Sequence, residues 1–189
     1  MKIHDKIYGS IVINDKVLIE LIKSKPVQRL KNISQSGATR YVLKGRNTNR
    51  YDHSIGVMLL LRKLNASMEE QIAGLLHDVP HTAFSHVVDL VFENIHENYH
   101  EKFHEDIIFK SEIPLILKKY NFDVSKIIDA ENFSLLESNI PDICVDRIDY
   151  SFRDYVAIYG MDNSITNYIN SLIIVNNEIL INNQENAVK

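Results

Sequence analysis

Apolar residues recur at three- and four-residue spacing along most of this chain, and a chain patterned that way must pack helices against one another. Over residues 16–33 Val17, Leu18, Leu21, Ile22, Val27, Leu30 and Ile33 keep that spacing. Pro26 divides the stretch into two helices by starting the second. Residues 51–64 carry Ile55, Leu59 and Leu60 in the same way. Ser67 with Glu70 three positions later is a capping box for a helix over 68–77, which Pro80 closes. Helices are also expected over 82–92, 100–109 and 112–120. A long helix is expected from Pro141, in its first turn, to about Tyr159, with Gly160 stopping it. Residues 35–49, rich in Gly, Ser, Thr and Asn, read as a loop. Loose alternation around Gly9 over residues 6–15 predicts a short hairpin. Leu172 to Val175, then Asn-Asn-Glu, then Ile179 to Ile181 predict a second. The expectation is an all-α helical bundle with small β-hairpins near both termini. It is a single domain over 1–189, with its core at about 26–160 and the terminal hairpin at about 172–182.

Composition narrows the function classes. A chain of 189 residues, 45% hydrophobic and 24% charged, is neither disordered nor collagen-like nor a coiled coil. Apolar runs such as residues 57–61 are far short of the ~18–20 residues of a membrane span. No charged-then-apolar segment opens the chain, so no secretory signal is expected. The single cysteine, Cys144, excludes an internal disulfide framework and fits a reducing cytosol, so a cytoplasmic location is expected. It lies beside apolar residues and reads as buried filler.

A net charge of −4 argues against an extended nucleic-acid surface or an anionic membrane as partner. One segment departs from that average. Between Arg29 and Arg50 stand six cations (Arg29, Lys31, Arg40, Lys44, Arg46, Arg50) and no Asp or Glu. Such a segment is either a solvated loop or a place for a small, highly charged anion.

Six of the eight histidines fall between His77 and His104. His77 and Asp78 are adjacent at the end of an otherwise apolar helix containing Ile72, Ala73, Leu75 and Leu76. Burying an unpaired carboxylate beside a histidine is costly, and a metal ion removes the cost by acting as counter-charge to both. Neighbours on a regular helix point ~100° apart, so the two can meet one ion only near a helix end, which Pro80 supplies. The bland alternative is a partly exposed pair at a helix terminus. His53 stands just upstream, His81 and His86 just downstream, and Asp146, Tyr150 and Asp154 share a face of the last long helix at successive i+4 steps. Val145, Ile148 and Phe152 lie on another face. His4, His96 and His104 read as surface histidines, and Phe84, Phe92, Phe103 and Phe109 as core.

His53, then His77-Asp78, then Asp146 reproduce the H…HD…D signature of the HD-domain metal-dependent phosphohydrolases. The chain most resembles their deoxynucleoside triphosphate triphosphohydrolase branch. The resemblance lies in Gln28-Arg29-Leu30-Lys31…Gln35-Ser-Gly37, Arg50-Tyr51-Asp52-His53-Ser54, His77-Asp78-Val-Pro-His81-Thr-Ala-Phe84-Ser85-His86 and Asp146-Arg147-Ile-Asp149-Tyr150-Ser-Phe-Arg153-Asp154. It implies that His53, His77, Asp78 and Asp146 hold one divalent ion, and that His81, His86, Asp89 and His100 supply acid/base and supporting groups near the scissile phosphate. It implies further that Gln35, Arg50, Arg147, Tyr150 and Asp154 contact sugar, base or phosphates. Arg147 stands where the family often has Lys, and Pro80 where it usually has Gly.

Two imidazoles and two carboxylates suit Mn, Fe, Co, Ni or Zn, with Mg as an alternative, better than an all-oxygen ion such as Ca. The expected activity is hydrolysis of a deoxynucleoside triphosphate to deoxynucleoside and triphosphate. The alternatives are a phosphodiesterase or monophosphatase on another small phosphorylated nucleotide, or a non-catalytic nucleotide-binding module. Relatives of this branch continue past the terminal hairpin with helices that complete the nucleotide site. A homo-oligomer, most simply a dimer, is therefore expected, with Leu172–Val175 as a plausible pairing edge.

Overall fold

The computed structural model of the protein describes residues 1–43, 45, 47–85, 87–93, 99, 101–139 and 141–183. The chain begins with a hairpin, β1 (Lys2–Asp5) and β2 (Gly9–Val12), and continues through α1 (Lys16–Lys23) and α2 (Lys25–Arg29). Helices α3 (Arg50–Lys63), α4 (Met68–Leu76), α5 (Val87–Val91), α6 (His104–Phe109), α7 (Ile113–Lys119) and α8 (Val124–Ile128) follow. The long α9 (Val145–Tyr159), α10 (Asn163–Ser171) and a second hairpin, β3 (Leu172–Val175) and β4 (Glu178–Ile181), complete it. The two hairpins are separate antiparallel sheets, so the fold is all-α in its core, as the helical spacing predicts.

Helix α3 is the hub. Every side chain from His53 to Leu61 is buried, and a helix buried all round belongs at the centre of a bundle. Asn49 caps it, its side chain accepting from the Asp52 N–H at 2.8 Å. Helices α4 and α9 both pack against α3. Leu21, Leu30, Leu59, Leu60, Leu75, Leu76 and Leu136 join one core cluster.

The start of α4 departs from the reciprocal capping box. Ser67 Oγ does accept from the Glu70 N–H at 3.1 Å. The Glu70 carboxylate instead turns inward and accepts from the N–H groups of Leu135 and Leu136 at 2.9 and 3.2 Å. The carbonyls of Leu135 and Leu136 in turn accept from Val145 and Asp146 at 2.8 and 3.2 Å. Those are orphan donors at the start of a helix, so one carboxylate on α4 fixes where α9 begins. Pro141 therefore lies outside α9, which starts four residues later than expected. Gly160, at φ 84°, does stop it.

Other expectations need correction. Of the described residues in the expected 82–92 helix, only 87–91 are helical. Ser85 sits at φ 51°, its hydroxyl donating to the Ser34 carbonyl at 2.7 Å and accepting from Arg50 Nε at 2.8 Å. That bonding breaks the helix before it starts. The expected 100–109 helix is a short 3₁₀ turn, Glu101–Phe103, followed by α6. The first hairpin runs from Lys2 to Val12, with Gly9 opening its second strand rather than forming its turn. The second matches its expected place, and its loop residues Asn176 and Asn177 both have positive φ, as a type I′ turn requires. Phe84, Phe92, Phe103 and Phe109 are exposed rather than core. Phe92 instead stacks on Tyr99, which meets the Phe103 ring at a tilt. Among the described residues no helix is long and apolar enough to cross a membrane.

Candidate metal centre

Three helices bring the centre together. His53 lies in the first turn of α3, His77 caps the end of α4 with Asp78 just beyond it, and Asp146 lies in the first turn of α9. His53, His77 and Asp146 each offer one ligand atom, all within 4.8 Å of one another. The His53 and His77 rings meet edge to face at 5.2 Å. Asp78 Oδ2 stands 3.9 Å from His53 Nε2, and Asp78 Oδ1 3.6 Å from His77 Nε2. Of the four residues implied as ligands by the H…HD…D resemblance, His53, His77 and Asp146 thus come together, although Asp146 is remote in sequence. Asp78 stands beside them with its Oδ1 bonded to Arg50.

Each imidazole is set to present Nε2. His77 Nδ1 donates to the Gly74 carbonyl at 2.7 Å, which fixes the tautomer and leaves the Nε2 lone pair free. His53 Nδ1 donates to Asp149 Oδ2 at 2.7 Å, and its Nε2 points at Asp146 Oδ1 at 2.8 Å. Two buried polar atoms here, His77 Nε2 and Asp78 Oδ2, have no hydrogen-bond partner. Buried polar atoms are almost always paired, and a lone pair beside a carboxylate oxygen is what a divalent cation satisfies. The donor set of two imidazole nitrogens and two carboxylates fits a borderline ion.

Electrostatics point the same way. Burial works against charge on His53, but its bonds to Asp146 and Asp149 outweigh that and push its pKa up to about 10. Burial likewise opposes a charged His77, while Asp78 and Asp146 raise its pKa. Burial would raise the carboxyl of Asp78, yet Arg50, His77 and His81 hold it well below the usual range. Asp146 is lowered too, against burial, by His53 and His77. The site thus combines carboxylates held low with imidazoles pushed up, a surrounding that favours positive charge.

The surrounding residues divide by what they touch. Arg50 is buried, donating Nη1 to Asp78 Oδ1 at 2.7 Å and Nε to Ser85. Arg29 donates Nη2 to the carbonyls of Val79 and His81 at 2.6 and 2.9 Å, pinning the turn after Asp78. Two cations of the acid-free segment are thus built into the centre rather than solvated. Lys31 lies over the Tyr51 ring, and Lys44 and Arg46 lie outside the described residues. His81 is buried with Nε2 3.2 Å from Asp78 Oδ1. Asp89 is buried on α5 and accepts from the Tyr99 N–H at 3.0 Å. His86 and His100 lie outside the described residues. Arg147 donates to the carbonyls of Asp142 and Ser138, bracing the entry to α9. Gln35 is half-buried, its N–H donating to the Thr48 carbonyl at 3.1 Å. Tyr150 is exposed and Asp154 half-buried, one and two turns beyond Asp146 on α9. The His53 and Asp78 side chains form a closed floor, while those of His77 and Asp146 are 19% and 28% exposed, so the centre opens on their side.

Two positions escaped the sequence reading. Asp149 and Arg153 are both buried and paired, with Arg153 Nε donating to Asp149 Oδ2 at 2.6 Å. The signal was present: they stand at i+4 spacing among Val145, Ile148 and Phe152, and charged residues on a helix's apolar face must pair. His104 is half-buried rather than on the surface, with its Nε2 buried and unpaired. Cys144 is buried, as expected, and burial pushes its thiol up.

Residues 50–154 match the family described as HD domain, and the chain belongs to that family. It is 50% identical over 190 residues to the uncharacterized protein YdhJ of Bacillus subtilis, a match covering 99% of this chain and 58% of the relative. It is 38% identical over 156 residues to the metal-dependent phosphohydrolase cns2 of Cordyceps militaris, covering 82% of this chain and 45% of the relative. A stretch of 104 residues, 47% of this chain, is 38% identical to the deoxynucleoside triphosphate triphosphohydrolase SAMHD1 of Danio rerio, covering 17% of it. The fold matches a solved hypothetical protein from Aquifex aeolicus with a TM-score of 0.71 at 26% identity, over 96% of this chain and 53% of that one. The chain spans about half the length of these first two relatives.

Proposed function

We propose that the chain is a metal-dependent phosphohydrolase acting on a nucleotide, and that its substrate is a deoxynucleoside triphosphate, cleaved to deoxynucleoside and inorganic triphosphate. The observation that carries this reading is the pair of buried, unpartnered atoms His77 Nε2 and Asp78 Oδ2 facing His53 and Asp146. His53, His77, Asp78 and Asp146 would hold one divalent transition ion. When bound, such an ion supplies Lewis-acid polarisation of a phosphoryl oxygen and a water activated towards neutral pH. The chain's own groups do the rest. Arg50 holds Asp78 in place and lends its charge to the bound phosphates. His81, with His86, Asp89 and His100, supplies and orients the proton for the leaving oxygen. Gln35, Arg147, Tyr150 and Asp154 bind sugar, base and phosphate on the open side. A second reading, a phosphodiesterase or monophosphatase on another small phosphorylated nucleotide, is favoured by the fuller match to the relative named only as a metal-dependent phosphohydrolase.

We also propose a homodimer in the cytosol. Exposed apolar side chains on α9 and beyond it (Ile158, Tyr159 and Met161) are surface that a second copy would cover.

Chelator-stripped protein reconstituted with Mn²⁺, Fe²⁺, Co²⁺, Ni²⁺ or Zn²⁺ and offered a nucleotide panel tests the activity. Inorganic triphosphate released together with deoxynucleoside supports the primary reading. Release of orthophosphate from mononucleotides, or opening of diesters, supports the second. No turnover with any ion contradicts both and leaves a binding module.

A further inference from the structure

We infer that the N-terminal hairpin is a working part of the metal centre: Asp5, acting through Arg153 and Asp149, is a positioning residue for His53. This rests on the proposed metal site. It concerns a residue well outside the segment that matches the HD family, which begins at residue 50.

Four buried side chains form one line of hydrogen bonds. Asp5 Oδ1 accepts from the N–H groups of Ile7 and Tyr8 at 2.8 and 3.0 Å, which locks the carboxylate to the turn of the hairpin. Its Oδ2 accepts from Arg153 Nη2 at 2.8 Å. The same Nη2 and the Nε of Arg153 donate to the two oxygens of Asp149, at 3.2 and 2.6 Å. Asp149 Oδ2 completes the line by accepting from His53 Nδ1. None of the four residues is more than 6% exposed.

Burying two carboxylates and a guanidinium is a poor way to gain stability, since apolar side chains of the same volume do as well. What the ionic line does, and apolar packing cannot, is fix one tautomer and one ring orientation. A carboxylate on Nδ1 keeps the proton there, leaves Nε2 as the ligand atom and makes it more basic. Asp149 can do this only while Arg153 holds both its oxygens. Arg153 is held in turn from the far side by Asp5. The hairpin's anchor therefore reaches His53 across a sequence separation of 48 residues by way of α9.

The variant Asp5→Asn separates this role from folding. The amide oxygen can still accept from Ile7 and Tyr8, while the amide N–H₂ replaces the acceptor that faces Arg153. On the full chain, Co²⁺ absorption titration and Mn²⁺ calorimetry read metal affinity without any turnover. Wild type is expected to take one ion per chain. Asp149→Asn should weaken binding by about 10- to 100-fold, and Asp5→Asn by about 3- to 10-fold, both with an altered Co²⁺ d–d spectrum. The double variant should bind no more weakly than Asp149→Asn alone, because Asp5 acts only through it. Ile11→Ala, which loosens the same hairpin without touching the line, should leave affinity within about 2-fold. Wild-type affinity in Asp5→Asn, full additivity in the double variant, or equal weakening by Ile11→Ala overturns the inference while leaving the metal reading intact. A wild-type chain that takes no ion overturns both.

Discussion

Gly56 lies so close to Asp149 that a Cβ on it would stand 2.1 Å from the carboxylate Oδ1, and 2.0 Å from Nη2 of Arg153. The missing side chain, one turn beyond His53 on α3, is what lets the Asp149–Arg153 pair of α9 approach the back of the metal ligand. Alanine is ordinarily the better helix former by up to ~1 kcal/mol. Here Gly56→Ala should instead destabilise the protein by about 1–3 kcal/mol through overpacking, and weaken metal binding with it. Denaturant unfolding with and without Mn²⁺ checks this; a more stable Gly56→Ala protein would contradict it.

Among the described residues, Arg50 is the permanently charged group that pairs with Asp78, at 2.7 Å. Arg50→Ala strands a buried carboxylate and should cost roughly 3–5 kcal/mol of stability. On the proposed function hydrolysis should fall at least ~10-fold, since Asp78, and by that proposal the substrate phosphates, lose a charge-assisted partner. Arg50→Lys should not restore either, because one ammonium cannot reach Asp78 and Ser85 together in the geometry of the guanidinium fork. Chemical unfolding and steady-state kinetics on the same preparations give both numbers, and unchanged values in either would show that Arg50 is dispensable.

His104 gives a pH dependence whose sign is fixed. Burial first, and the charge of His77 second, push its pKa down to about 4 from the usual 6.5. The unfolded chain therefore binds more protons between these values, so stability is fully present above about pH 6.5 and drains away as pH falls toward 4. Metal-free wild type should lose up to about 3 kcal/mol more than metal-free His104→Gln between pH 7 and pH 4. Parallel stability profiles for the two proteins would refute the assignment.

Metal should hold α3, α4 and α9 together, because its proposed ligands come from all three. An ion at about 100 times its dissociation constant contributes about 2.7 kcal/mol, which for a chain of this size raises Tm by roughly 5–10 °C. His77→Ala should abolish that increment. A Tm indifferent to Mn²⁺ would mean that the ion does not bind the folded state.

The helices that position the centre were legible because they obey strong local rules: the Ser67 cap, the apolar face of 68–76, and the Gly160 stop. The 82–92 helix misread because its pattern is apolar enough, while Ser85 leaves helical geometry to bond Ser34 and Arg50, partners 51 and 35 residues away. The polar α10 was missed because only Ile165 and Ile169 mark its buried face; its stability comes from Asp162 capping Ser164 and Ile165. The four proposed ligands were named by the resemblance of His53, His77-Asp78 and Asp146 to the H…HD…D signature, while the adjacent His77-Asp78 pair by itself left a bland alternative open. Of the supporting line, the Asp149–Arg153 pair carries a local i+4 signal, whereas Asp5 stayed hidden because it meets Arg153 only in space, 148 residues away along the chain.

The most direct measurement is anomalous diffraction from crystals grown with Mn²⁺. The expected result is one peak per chain at about 2.0–2.3 Å from His53 Nε2, His77 Nε2 and an oxygen each of Asp78 and Asp146. A crystal saturated with Mn²⁺ that shows no peak there, or a bound ion with any of the four side chains turned away from it, would contradict the assignment of this centre.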